Sequence, residues 1–246
     1  MCRGGHAPPV RGVRRQIGTR WRRDDRRSTG LGRGSDGERV ARKGSGSSGR
    51  WLREHADDVH VKRAQADGYR SRAVYKLREL DEKDRLLHRG TAVLELGSAP
   101  GGWTQYAAER VGPSGRVVAS DILAMDGIGE VTFVQGDFTE EAVARRIELA
   151  LGPNGCDLVL SDMAPNLSGV PSRDQARAME LAELALDMAR RVLEPDGALA
   201  VKVFQGEGFD DFVRTARAVF ASVKVRKPAA SRPRSREVYL VARKLI

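Results

Sequence analysis

Residues 92–103 read AVLELGSAPGGW: a β-prone apolar run from Ala92 to Leu96 that breaks at Gly97 and passes through Pro100-Gly101-Gly102 to Trp103. A strand that empties into small residues at the edge of a parallel sheet is where a nucleotide-like ligand approaches the main chain. Reading outward, further β runs fall at 116–120, 131–135, 157–161, 198–203, 223–226 and 237–242, alternating with helical stretches. That alternation predicts a Rossmann-like α/β fold, a seven-stranded, mostly parallel sheet with helices on both faces. Between 157–161 and 198–203, residues 174–193 carry two adjacent apolar rows at helical spacing and predict a broadly buried helix, stopped by a Pro195-Asp196-Gly197 turn. The ten residues 227–236 are too short for a crossover helix, so the last strand is expected to run antiparallel to its predecessor. Ahead of the first strand, 72–85 predicts a helix with Ala73, Leu77 and Leu80 on one face.

The chain has 246 residues, of which 40% are hydrophobic and 31% charged, enough for a real core. Its formal charge of +10 points to a polyanionic partner, and its distribution is uneven. Residues 1–50 hold 14 basic and 4 acidic side chains, with Ile17 and Leu31 their only Ile or Leu, so they cannot bury enough apolar area to offset ordering entropy. Residues 1–46 are therefore expected to be a disordered Arg/Gly-rich tail, and 47–246 a formally neutral folded domain. The arginine-rich start resembles a transit peptide in charge but lacks the apolar residues for an amphipathic stripe. Two cysteines, Cys2 and Cys156, and four scattered histidines make neither a disulfide framework nor a metal site. No apolar run reaches the roughly 18 residues of a membrane span. The expectation is a cytoplasmic protein without metal or membrane attachment.

The glycine turn is not the G-x-G-x-x-G dinucleotide fingerprint. Glu95 and the Pro-Gly-Gly turn fit the E/D-x-G-x-x-P-G-G form found in S-adenosylmethionine methyltransferases. Asp121 ends the second strand and Asp137 follows the third, positions from which carboxylates can accept from a ribose diol and an adenine amine. The fourth strand ends in Ser161-Asp162, and Lys202 sits among apolar residues of the fifth, where a lysine is costly unless its amine reaches polar partners or a cleft. Lys76 and Glu237 add a second amine and carboxylate that this fold could bring to the same edge.

The segments RSRAVYKL (70–77), LGSAPGGWTQY (96–106), QGDF (135–138), SDMAPNLSG (161–169), VKVFQGEGFD (201–210), KVRKP (224–228) and SRPRSREVY (231–239) resemble, in order, the FtsJ-like ribosomal RNA large-subunit methyltransferase family of the bacterial RlmE type. The resemblance covers nearly all of 47–246 and says nothing about the tail. It implies a Lys76, Asp162, Lys202, Glu237 tetrad that methylates a ribose 2′-hydroxyl, with S-adenosyl-L-methionine bound at Gly101, Trp103, Asp121, Asp137 and Asp162. It also implies 23S rRNA in the assembling large ribosomal subunit as partner, the target being a uridine. The protein is expected to act as a monomer.

A ribose hydroxyl is un-ionised at neutral pH, so such a site must take its proton or stabilise the developing oxyanion. Lys202 suits either role: a second cation and desolvation favour a neutral amine, while Asp162 and Glu237 favour the ammonium. Basic residues cluster at 60–78 (Lys62, Arg63, Arg70, Arg72, Lys76, Arg78) and 224–236 (Lys224, Arg226, Lys227, Arg232, Arg234, Arg236), whereas 91–222 carries 11 basic and 20 acidic residues. This segregation predicts an RNA groove flanking the tetrad. With aromatics only 5% of the chain, phosphate and 2′-hydroxyl contacts are expected to outweigh base stacking. Competing readings are the same chemistry on tRNA or an mRNA cap, and an rRNA-binding assembly factor without turnover.

Overall fold

The structure, a computed structural model, describes residues 58–246. The tail expected at 1–46 and the domain start at 47 lie outside the described residues. Two helices lead in, α1 (Val59–Ala66) and α2 (Val74–Asp84), followed by β1 (Ala92–Leu96), α3 (Gly102–Val111), β2 (Arg116–Asp121), β3 (Thr132–Gln135), α4 (Glu141–Leu151), β4 (Cys156–Ser161), α5 (Pro171–Val192), β5 (Leu193–Phe204), α6 (Phe209–Val219), β6 (Phe220–Arg226) and β7 (Glu237–Leu245). The strands form one sheet in the order β3-β2-β1-β4-β5-β7-β6. β1 to β5 pair in parallel, and β7 runs antiparallel to both neighbours, inserted between β5 and β6.

Side-chain alternation along the strands feeds two separate cores. Leu94, Leu96, Val118, Val134, Val159 and Val201 pack under α4, α5 and α6, while Val93, Val117, Leu158, Leu160 and Tyr239 pack under α1, α2 and α3. In α2, Leu77 and Leu80 are 0% and 1% exposed, which fixes the rotation of the helix carrying Lys76. Truncating a leucine buried to this degree costs about 2–5 kcal/mol.

One expectation needs correcting. The Pro195-Asp196-Gly197 turn does not stand between helix and strand. α5 ends at Val192, Leu193 is already extended and pairs with Cys156, and pairing resumes only at Ala198 opposite Leu158. A residue before proline is disfavoured in the helical region, so Glu194 cannot continue α5. The exposed residues Glu194 to Asp196 loop out of the strand as an irregularity.

The strand order reverses direction between β1 and β4. Such a switch point leaves a crevice outside the carboxyl ends of the strands. The glycine turn after β1, Asp121 after β2, Gly136-Asp137 after β3 and Asp162 after β4 all lie along that edge.

Candidate active site

Strand register brings chemistry from the far end of the chain to this edge. Lys202 of β5 lies opposite Tyr239 of β7, and Phe204 opposite Glu237. Directly opposed residues share a face of the sheet, and so do residues two apart along one strand. Glu237 and Tyr239 therefore project on the same side as Lys202. Asp162 arrives from the end of β4, and Lys76 from the first turn of α2.

The four charges make two pairs. Lys202 Nζ lies 3.1 Å from Asp162 Oδ1 and donates also to the Asp162 carbonyl oxygen. Lys76 Nζ lies 2.9 Å from Glu237 Oε1. Tyr239, 0% exposed, joins them: its hydroxyl donates to Asp162 Oδ1, and Lys76 Nζ sits 5.9 Å from its ring centre. Burial pushes the Asp162 carboxyl up, but Lys202, Lys76 and the Tyr239 hydroxyl together outweigh it and hold the group below the usual carboxylate range. Glu237 shows the same balance, its burial overcome chiefly by Lys76, with Lys202 adding to it. Burial and the adjacent Asp162 charge raise Tyr239 well above a free phenol, so it remains a donor. Tyr239 is the site residue that sequence reasoning passed over, although period-two alternation from Glu237 marks it.

Beside this cluster, Gly97 and Gly101 both have left-handed backbone, φ 75° and 108°. A Cβ at Gly97 would lie 2.4 Å from Met163 Cγ, so the chain after β4 touches the turn after β1. Asp121 binds the same turn: its Oδ2 accepts from the Ala99 N–H and its Oδ1 from the Leu123 N–H, both at 2.8 Å. Each oxygen keeps a further lone pair. Asp137 Oδ1 accepts from the Thr139 N–H at 3.0 Å and its hydroxyl at 2.7 Å. Ile122 and Leu123 are 64% and 63% exposed next to Asp121. The buried Ser98 and Ser120 hydroxyl oxygens have no hydrogen-bond partner among the described residues. The Trp103 indole points away from the crevice, packing on the Tyr239 ring at 5.7 Å and donating to the Ala73 carbonyl at 2.7 Å. What Trp103 offers at the edge is its main chain in the first turn of α3, among N–H groups without helical partners. Underneath, Glu95 is 2% exposed, accepts from the Thr104 hydroxyl at 2.6 Å, and is pushed by burial up to about 8.

The expected RNA groove is narrower than charge alone implies. Arg226 forms a two-bond pair with Asp84, both at 2.7 Å. Lys227 donates to the Ser235 and Glu237 carbonyls at 2.6 Å. Arg63 pairs with Asp67, Arg78 with Glu82, and Arg72 with Asp58 and the Ala230 carbonyl. Long side chains meet the nearest carboxylate or carbonyl of their own chain, which a count of charges does not register. Beside the Lys76–Glu237 pair lies a cleft of about 560 Å³ lined by these two residues and by Arg72, Arg232 and Arg234, with Ala73 and Ser235. Among the described residues no group of three or more His, Cys, Asp or Glu is placed to hold a metal, and no helix is long and apolar enough to cross a membrane.

The model of the FtsJ-like methyltransferase family matches residues 69–245, the span holding the glycine turn, both ion pairs and Tyr239. The chain belongs to the FtsJ-like methyltransferase family. It is 60% identical over 199 residues to the ribosomal RNA large subunit methyltransferase E of Pseudomonas aeruginosa strain PAO1, covering 81% of this chain and 96% of that protein; its namesake in Pseudomonas paraeruginosa strain PA7 matches equally. A solved structure assigned as a ribosomal RNA methyltransferase of Plasmodium falciparum aligns with TM-score 0.64 and 29% identity, covering 72% of this chain and 98% of that one. A second, assigned as an rRNA methylase of Clostridium thermocellum, shares the fold with TM-score 0.50 at 18% identity, over 70% of this chain and 97% of that one. This FtsJ-like chain is thus a methyltransferase.

Proposed function

We propose that the protein transfers a methyl group from S-adenosyl-L-methionine to the ribose 2′-hydroxyl of a uridine in 23S rRNA of the assembling large ribosomal subunit. The observation that carries this reading is the convergence of two lysine–carboxylate pairs, Lys202–Asp162 and Lys76–Glu237, on Tyr239 beside the glycine turn. The names of the 60% identical relatives support the substrate.

The donor carries an activated methyl group on a positively charged sulfur. The residues suit its three parts. Left-handed Gly97 and Gly101 shape the turn that walls the crevice, the spare lone pairs of Asp121 suit a ribose diol, and Asp137 Oδ2 suits an adenine amine. The first turn of α3, Trp103 included, presents N–H groups to a carboxylate. The unpaired Ser98 and Ser120 hydroxyls lie behind this edge and supply further polar contacts. Asp162, shared with Lys202, sets the distance between donor pocket and amine.

Lys202 works on the target hydroxyl, either removing its proton or stabilising the oxyanion, with Asp162 fixing its amine. Lys76 and Glu237, on the wall of the cleft, position the ribose, and Arg232 and Arg234 face the flanking phosphates. The buried free thiol of Cys156 suits the reducing cytoplasm where ribosomes assemble. Incubation with labelled S-adenosylmethionine and undermethylated large subunits, free rRNA or tRNA, followed by mapping of the modified nucleotide, tests the assignment. Label confined to tRNA would overturn the substrate, and label in no RNA would leave a binding factor. A rate that rises with an apparent pKa well below that of free lysine and is lost in Lys202→Ala marks Lys202 as the base. A flat profile assigns it to the oxyanion.

A further inference from the structure

Arg70 belongs by position to the basic run before the sheet, which by charge reads as an RNA face. The structure assigns it elsewhere: we propose that Arg70 is a positioning residue of the cofactor site, its guanidinium closing loop 122–130 over the glycine turn rather than binding an RNA phosphate. The proposal deepens the reading of this crevice as an S-adenosylmethionine site and rests on it.

Three main-chain carbonyls from two segments converge on this one side chain. Nη1 donates to the Asp126 carbonyl at 2.7 Å and lies 3.4 Å from the Pro100 carbonyl, and Nη2 donates to the Gly127 carbonyl at 2.9 Å. Pro100 belongs to the turn after β1, and Asp126 and Gly127 to the loop after β2, so Arg70 bridges the two walls of the crevice. The loop is seated on the turn itself. A Cβ at Gly101 would lie 2.7 Å from Ile128 Cδ1, 2.9 Å from Met125 Sδ and 3.1 Å from Arg70 Nη1. Asp121 fixes the start of the loop through Leu123. Among the described residues, the side-chain hydrogen bonds into 124–129 come from Arg70 alone, the other tie being the Val131 N–H to the Ile128 carbonyl at 2.9 Å where the loop enters β3.

Arg70 is itself held. Its N–H donates to Gln105 Oε1 at 2.7 Å, and Gln105 Nε2 returns a bond to the Gly68 carbonyl at 3.1 Å, clamping 68–70 to α3. Two parallel donors on adjacent carbonyls suit the planar fork of arginine, which a lysine ammonium cannot reproduce. A phosphate contact, by contrast, is met by either side chain. The Arg70→Lys variant therefore separates the two roles. Because the same segment runs on through Ala73, bonded to Trp103, to Lys76, one tether sets both the cofactor loop and the helix carrying that amine.

The test uses the full chain as wild type, Arg70→Lys and Arg70→Gln. Titration calorimetry gives the Kd for S-adenosylmethionine, fluorescence polarisation with an rRNA fragment at several salt concentrations gives RNA affinity, and hydrogen exchange reports on amides of 122–130 and of β1, β4 and β5. Both variants are expected to bind the cofactor roughly tenfold more weakly and to exchange roughly tenfold faster in 122–130, with strand amides and the RNA salt slope unchanged. Full recovery of cofactor affinity and loop protection in Arg70→Lys would overturn the proposal. So would a salt slope reduced by about one with cofactor affinity intact, and so would faster exchange across the strands as well as the loop in both variants. A wild-type chain that fails to bind S-adenosylmethionine would remove the underlying reading and this one together, whereas normal binding by wild type and variants alike would refute the role of Arg70 alone.

Discussion

Neutralising both members of the Lys202–Asp162 pair should destabilise the protein little more than neutralising one of them. The tetrad holds two cations and two anions in near-complete burial, with side-chain exposures of 6% for Lys202, 16% for Asp162 and 12% each for Lys76 and Glu237. At 3.1 Å the Lys202–Asp162 attraction is about 5 kcal/mol for an effective dielectric near 20, against desolvation of the same order. Asp162→Asn preserves shape and acceptors for Lys202 and Tyr239 but leaves two ammonium groups facing only Glu237, at a cost of about 3 kcal/mol or more. Lys202→Met leaves two carboxylates facing only Lys76, with a similar cost. The double variant restores charge balance, so its cost should fall short of the sum by about 2–3 kcal/mol. Equilibrium urea unfolding of the four proteins at pH 7, followed by circular dichroism, measures this coupling. Because Asp162 is held below its unfolded value of 3.8, the coupling is present above that pH and fades as pH falls below it. Single costs that add within about 0.5 kcal/mol at pH 7, or a coupling that grows in acid, would refute the account. None of the three variants should retain methyl transfer.

Glu95 titrates near 8 in the fold against 4.5 unfolded, so its contribution is most favourable below pH 4.5 and is lost as pH rises toward 8. Glu95→Gln should flatten that decline and stabilise the protein at pH 8.5 by on the order of 3 kcal/mol in thermal or urea melts; an unchanged pH profile would refute it. Tyr239→Phe removes a donor to the Asp162 carboxylate and should cost about 1.5–3 kcal/mol at neutral pH, with the deficit shrinking in acid as Asp162 protonates. Gly101→Val, at φ 108° and against Ile128 and Met125, should weaken cofactor binding about five- to thirtyfold, the equivalent of about 1–2 kcal/mol of backbone strain, read by calorimetry. Arg232→Ala with Arg234→Ala should lower RNA affinity and reduce its salt slope by about two, leaving cofactor affinity unchanged.

The parts of this molecule legible in its sequence are those set by local periodicity. Seven β runs and the rows of α5 follow directly from alternation and helical spacing. Insertion of β7 between β5 and β6 does not, because a short 227–236 connection fixes only that the two strands lie side by side. Glu237 and Lys76, 161 residues apart in sequence, could be named as candidates from the fold, but only family resemblance made them one tetrad; nothing local says that strand and helix meet. Tyr239 carried a usable signal, two residues from Glu237 on the same face. The basic runs misled in part, since a guanidinium does not declare whether its acceptor is a phosphate, as the cleft suggests for Arg232, or a carboxylate such as Asp84, as for Arg226.

The antiparallel insertion of β7 also bears on when the protein becomes active during its own synthesis. A ribosome that has translated through Arg226 has made the donor crevice, Lys76, Asp162 and Lys202, yet the groove beside β5 that β7 fills still has no strand, and neither Glu237 nor Tyr239 exists. Until β7 leaves the exit tunnel and slots in, Lys202 and Asp162 lack their hydroxyl partner, and β5 presents an unpaired apolar edge of the kind that invites aggregation. Competence is therefore expected to wait on the emergence of β7, and a chain that stops before Glu237 should show no methyl transfer and expose a sheet edge for quality control to find.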